Sequence, residues 1–201
     1  MTVIGLTGPS GSGKTTFSEV ASAHGIYVIN ADEVAHSVLR RTDAAKAIIK
    51  AFGDGVAEGG VPDRKKLAAA AFADPVSTER LNRTVLPFIV KDIEGMIDNS
   101  PRNIVLIDAP TLFESGLDRR CDITVAVVSD RCVSLKRIRE RDGISEEAAE
   151  ARLRAGNDES FFAERVDILI KNNGSLEDFK SECESVILKI TAGAEQTKNP
   201  R

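Results

Sequence analysis

The stretch Gly8-Pro9-Ser10-Gly11-Ser12-Gly13-Lys14-Thr15 narrows what this chain can become more than any other. It has the spacing G-x-x-x-x-G-K-[ST], with the apolar run Val3-Ile4-Gly5-Leu6 before it and a helical pattern after it. A loop that wraps an anion must turn its N–H groups inward, and glycine allows the positive φ and close backbone approach this requires. A helix opening at Lys14 adds its unpaired N–H groups and positive dipole end. Lys14 brings a cation for β/γ-phosphates, and Thr15 a hydroxyl for Mg²⁺. The expected nucleotide contacts are Gly8, Gly11, Ser12, Gly13, Lys14, Thr15 and Thr16.

The surrounding pattern is that of a parallel α/β sheet. Thr2 to Thr7 reads as a buried strand, Lys14 to about Ala23 as a helix with Phe17, Val20 and Ala21 inward, and Ile26 to Ile29 as a second strand. Strand, helix and strand in some thirty residues is a βαβ unit. Directly after it comes Asn30-Ala31-Asp32-Glu33-Val34-Ala35-His36, at the strand end where such sheets bind ligands. Asn30 suits a helix cap. Asp32 reads either as a base for a substrate hydroxyl or as an acid favoured by the helix dipole.

Residues 42 to 53, Asp63 to Phe72 and Val76 to about Ile97 are predicted helices, with breaks at Gly53-Asp54-Gly55 and Gly59-Gly60-Val61-Pro62. Pro87 is expected to kink or divide the last of them. This excursion is too long for a plain crossover and is a candidate acceptor lobe. Asn103 to Asp108 is the third strand; an acid ending such a strand suits the Mg²⁺ shell of phosphate-loop enzymes, so Asp108 joins Thr15 as a metal candidate.

Asp122 to Val128 is predicted as the fourth strand and Asp130 to Asp142 as a helix that places Arg137 and Arg141 on one face. Those arginines suit a polyphosphate clamp or an adenine stack, and equally a solvated face paired with Glu140 and Asp142. Ser145 caps a further charged helix bearing Arg152 and Arg154, in an excursion that resembles a mobile lid. Val166 to Ile170 is the fifth strand, Asn172-Asn173-Gly174 a turn, Ser175 to about Ala192 a closing helix, and Gln196 to Arg201 a frayed tail.

Composition excludes several classes. At 201 residues and 42% apolar content the chain is long enough for a sizeable core. A net charge of −4, no Trp and one Tyr give no footprint for nucleic acid or an anionic membrane. No apolar run is long enough to span a bilayer, and the first strand starts at once, which leaves no room for a signal peptide. Cys121, Cys132 and Cys183 are odd in number and widely spaced, which points to a reducing cytoplasm.

The phosphate loop, Asn30 to Ala35, Leu81-Asn82 with Pro87, Asp108-Ala109-Pro110-Thr111-Leu112-Phe113-Glu114, Arg137 to Asp142, and Asp167 to Gly174 together resemble the dephospho-CoA kinase family. The resemblance runs through nearly the whole chain, in order. It implies a five-stranded parallel sheet flanked by helices, like the phosphate-loop nucleoside-monophosphate kinases. Residues 1–41, 101–141 and 165–201 would form the nucleotide-binding core, 42–100 the helical acceptor lobe and 142–164 the lid. It also implies transfer of the ATP γ-phosphoryl, with Mg²⁺, to the ribose 3′-hydroxyl of dephospho-CoA. Lys14, Asp32, Arg137 and Arg141 would be catalytic, in a cytoplasmic monomer or small homo-oligomer whose partner is a small molecule and neither nucleic acid nor membrane.

The family usually has Asp at Asn30, Arg at His36, His at Leu86, Gln at Gly156 and Gly at Pro9. These departures fall mostly on the acceptor and lid side. A phosphate-loop kinase with another acceptor, or a nucleotide-binding regulatory module, are the alternatives.

Overall fold

A computed structural model of the chain describes residues 1–196, in two compact units: Met1–Ile29 with Ser100 onward, and Asn30–Asn99. Of the tail expected from Gln196 to Arg201, Gln196 ends the last helix and the rest lies outside the described residues.

The first unit carries a five-stranded sheet built from β1 (Thr2–Thr7), β2 (Tyr27–Asn30), β5 (Ile104–Asp108), β6 (Ile123–Val128) and β7 (Ile168–Lys171), in the order β2-β5-β1-β6-β7. The β1–β5, β1–β6 and β6–β7 pairs are parallel. Leu6 is level with Asp108, Thr7 with Ala126, and Val128 with Lys171. Parallel pairing therefore gathers the chain segments leaving β1, β5, β6 and β7 at one end of the sheet.

Both faces of the sheet are covered, which is why its strands read as continuous apolar runs. On one face Val125 and Val127 join Phe17 and Ala21 of α1 (Lys14–Ala23) and Phe179, Cys183, Ile187 and Ile190 of α9 (Leu176–Gln196). The alternate residues Ala126 and Val128 pack with Phe162 on the other face. Phe162 belongs to α8 (Glu159–Ala163), a short helix that periodicity does not single out.

Side-chain hydrogen bonds set two strand boundaries. β7 begins at Ile168 rather than Val166, because the Asp167 carboxylate accepts from Thr124 N–H at 2.7 Å and from its hydroxyl at 2.8 Å. The Asp122 carboxylate likewise accepts from Val3 N–H at 2.7 Å, and β6 starts one residue later than expected. β2 also lies one residue later than predicted, running into the cap residue Asn30.

The second unit is helical: α2 (Ala31–Val38), α3 (Thr42–Phe52), α4 (Arg64–Ala71) and α5 (Pro75–Asp98). It thus includes α2 as well as the helices after it. Val85, Ile89, Ile93 and Ile97 bury one stripe of α5, which packs against α2, α3 and α4. Arg41 ties the α2–α3 junction to α5, reaching Asp92 at 2.5 and 2.6 Å and Asp43 at 2.6 Å. Of the two outcomes expected at Pro87, division does not occur: α5 is unbroken. The proline sits on the exposed side, so the buried stripe continues past it. The predicted break at Gly59-Gly60 is a hairpin joining β3 (Ala57–Glu58) to β4 (Val61–Pro62); both glycines have positive φ, 60° and 80°, as a tight two-residue turn demands.

Candidate active site

The phosphate loop leaves the central strand at Thr7 and is pressed against its neighbours. A Cβ at Gly8 would lie 2.1 Å from the Val127 carbonyl oxygen, at Gly11 2.8 Å from the Ser134 carbonyl oxygen, and at Gly13 2.3 Å from Asn172 Nδ2. Close approach, as much as positive φ, requires glycine at these positions. Lys14 Nζ donates to the carbonyls of Gly8 at 2.7 Å and Pro9 at 3.1 Å, so the loop curls around its own ammonium. Ser12 N–H donates back to Pro9 at 3.4 Å. Thr16 N–H closes the first turn of α1 on Gly13 at 3.0 Å and is already engaged there.

This end of α1 has no side-chain cap. Its cap, Gly13, offers no side chain, and its first turn contains no acid. The Ser12 hydroxyl is buried without a hydrogen-bond partner, a state that costs about 1–3 kcal/mol. A polyanion supplies what is missing, and the residues present therefore fit a nucleoside triphosphate.

Asp108 ends β5, is 8% exposed, and accepts from Ser18 Oγ of α1 at 2.8 Å. Thr15 is exposed on the preceding turn of the same helix. Among the described residues no three His, Cys, Asp or Glu side chains cluster as a metal cage. Mg²⁺ does not need one: it is held by one or two carboxylates together with substrate phosphates and water. The pair Thr15 and Asp108 fits that mode.

The two arginines that share a face of α6 (Arg131–Asp142) have different partners. Arg137 donates to the Asn172 carbonyl at 3.1 Å, to Asn172 Oδ1 at 3.1 Å and to the Ser12 carbonyl at 3.5 Å. Arg141 pairs with Asp142 at 2.7 and 3.0 Å, and Asp142 also receives Arg152 from α7 (Glu146–Arg154). The Arg141 hydrogen bonds are the main reason the Asp142 carboxyl sits below the ordinary carboxylate range. The pair thus stays ionised through neutral pH and loosens only as acid protonates Asp142.

The 142–164 segment is also tied to the loop after β5. Asn157 Nδ2 donates to Glu114 at 2.7 Å, and Phe161 meets Phe113 edge-on at 5.9 Å while Arg165 stacks over it at 4.1 Å. A cavity of about 470 Å³ opens between Pro9, Asp130, Ser134, Leu153 and Gly156.

Asp32 belongs to the second unit. Asn30 caps α2, accepting from Asp32 N–H at 2.9 Å and Glu33 N–H at 3.2 Å, which leaves the Asp32 side chain exposed in the first helical turn. Sequence reasoning missed Ser18, and read Asn172 as part of a turn and of the family-like Asp167 to Gly174 stretch without giving its side chain a role. The signal for Asn172 was its place one residue beyond a parallel strand, where such sheets carry their ligands.

A family model for dephospho-CoA kinase matches residues 2–178. The chain belongs to the dephospho-CoA kinase family. Dephospho-CoA kinase of Fusobacterium nucleatum is 34% identical over 183 residues, covering 90% of this chain and 95% of its own. That of Geobacillus kaustophilus is 36% identical over 190 residues, covering 92% and 94%. The solved dephospho-CoA kinase of Campylobacter jejuni superposes with a TM-score of 0.61 at 29% identity, over 94% of this chain and 96% of its own. As a member of this kinase family the chain is an ATP-dependent phosphotransferase acting on an alcohol group. Among the described residues no helix is long and apolar enough to cross a membrane.

Proposed function

We propose that the chain transfers the ATP γ-phosphoryl to the ribose 3′-hydroxyl of dephospho-CoA, giving coenzyme A. The observation that carries this reading is a phosphate loop folded around Lys14 at an α1 N-terminus that no side chain caps, within a chain of this family.

Lys14 exchanges the Gly8 and Pro9 carbonyls for β/γ-phosphate oxygens, while the N–H groups between Gly11 and Thr15 cradle the rest. Thr15 and Asp108 would hold Mg²⁺, which when bound would neutralise charge developing on the phosphates. Asp32 orients the acceptor hydroxyl and takes its proton. Arg137 and Arg141 offset charge spread over the equatorial oxygens; for Arg141 this means giving up Asp142. The 142–164 segment acts as a lid that excludes water, the competing acceptor. Residues 42–100 hold the acceptor, and the enzyme works in the cytoplasm.

The test is ADP release from Mg-ATP with dephospho-CoA, adenosine, other nucleosides or no acceptor. Stimulation by dephospho-CoA, with coenzyme A formed, is expected. Stimulation by another acceptor alone overturns the substrate assignment. The Asp32→Asn variant should lose about 10²-fold or more in turnover, the scale of a lost general base, and keep its affinity for ATP. Unchanged turnover removes Asp32 from the mechanism.

A further inference from the structure

Asn172 is the first residue beyond β7, and its position is set by the sheet: its N–H donates to the Val128 carbonyl at 2.8 Å. The residue is 4% exposed. From there Nδ2 donates to the Ser12 carbonyl at 2.7 Å, across 160 residues of sequence. Its Oδ1 and its own carbonyl both accept from Arg137, each at 3.1 Å. Chemistry dictates which way the amide faces. Flipping it would set oxygen against the Ser12 carbonyl oxygen and an NH₂ group against a guanidinium that only donates.

The effect of this contact passes through one peptide plane. In a trans peptide the carbonyl of Ser12 and the N–H of Gly13 point in opposite directions. Holding the Ser12 oxygen toward Asn172 therefore aims the Gly13 N–H the other way. No side chain fits between: a Cβ on Gly13 would stand 2.3 Å from Asn172 Nδ2, and Gly13 has φ of 114°. The neighbouring Asn173 extends the grip, its Oδ1 accepting from Asp130 N–H at 2.8 Å, just ahead of α6.

We propose that Asn172 is a positioning residue for nucleotide binding: it orients the Ser12–Gly13 peptide so that Gly13 presents its N–H to the nucleotide phosphates, and it seats Arg137 beside that peptide. The proposal rests on the reading of the phosphate loop as the ATP site. With its side-chain amide engaged by the Ser12 carbonyl and Arg137, Asn172 acts through the phosphate loop, so its influence falls on the nucleotide side of the kinetics.

Two variants separate its two bonds. Asn172→Asp keeps a side-chain acceptor for Arg137 but sets an oxygen against the Ser12 carbonyl, whereas Asn172→Ala removes both side-chain bonds and leaves Arg137 only the backbone carbonyl. In each, calorimetric affinity for Mg-ATP should fall by about tenfold to a hundredfold, the scale of a lost buried hydrogen bond, while KM for dephospho-CoA stays within about twofold. Because the Asp variant retains the Arg137 contact, a loss there traces to the Ser12 carbonyl. Affinity for Mg-ATP within twofold of wild type in a folded Asp variant overturns the proposal. So does an equal rise in both KM values, or failure of both variants to fold, since either makes Asn172 a general structural residue. Wild-type turnover with dephospho-CoA, run alongside, shows failure of the acceptor assignment in the wild type, where the variants have no part.

Discussion

Gly8 meets the Val127 carbonyl so closely that a methyl group there has no room, with its hypothetical Cβ 2.1 Å from that oxygen and φ at 139°. Gly8→Ala must shift backbone on both sides, at a cost on the order of 2–4 kcal/mol from overpacking and an unfavourable φ. Urea unfolding should show that loss, and calorimetry should show Mg-ATP binding weakened at least tenfold, since the loop cannot retain its curl around Lys14. Stability and affinity equal to wild type would mean the loop has slack that these distances deny. Thiols offer a second check at this scale. Burial is the largest cause pushing the Cys121 and Cys183 thiols up to about 12, whereas Cys132 is exposed on α6. Since thiolate is the reactive form, one thiol of three should react quickly with an alkylating reagent at pH 8 in the native protein, and all three in denaturant. Fast labelling of two or more native thiols would contradict this burial. The legibility of single residues follows how local their partners are. Asn30 was readable as a cap because its acceptors' partners lie two and three residues on. The Asn172–Ser12 bond was not, because only the sheet brings those residues together.

Elements followed the apolar pattern well wherever it was long, and less well where one side chain set the boundary. α1 covers the predicted Lys14 to Ala23, while β7 starts late because the Asp167 carboxylate takes the Thr124 donors that would otherwise extend the ladder. The tiny β3–β4 hairpin was invisible because two residues per strand carry no periodicity; Gly59-Gly60 marked a turn without revealing what it joined. Pro87 yields the prediction proper to this scale. It removes an N–H that the Arg83 carbonyl would receive in an unbroken helix, yet it stands exposed within α5. Pro87→Ala restores that donor without disturbing the Val85–Ile89–Ile93 stripe and should stabilise the protein by about 1–3 kcal/mol. Thermal unfolding should register a rise of several degrees. A fall would mean that the proline ring itself stabilises α5.

At the scale of the whole molecule, one motif followed by a second short strand made a parallel α/β sheet the natural expectation, and the strand count agrees with it. The order of those strands was not readable, since apolar runs of similar length do not say which neighbour each will take. That order places β1 at the middle of the sheet, between partners that follow about a hundred residues later. During synthesis, β1 therefore leaves the ribosome with neither neighbour in existence, and the helices of residues 30–99 emerge next. The contacts that press the phosphate loop against Val127, Ser134 and Asn172 therefore wait until translation has reached Asn172, so the tightest turn of the fold takes its shape from residues made more than a hundred positions after it.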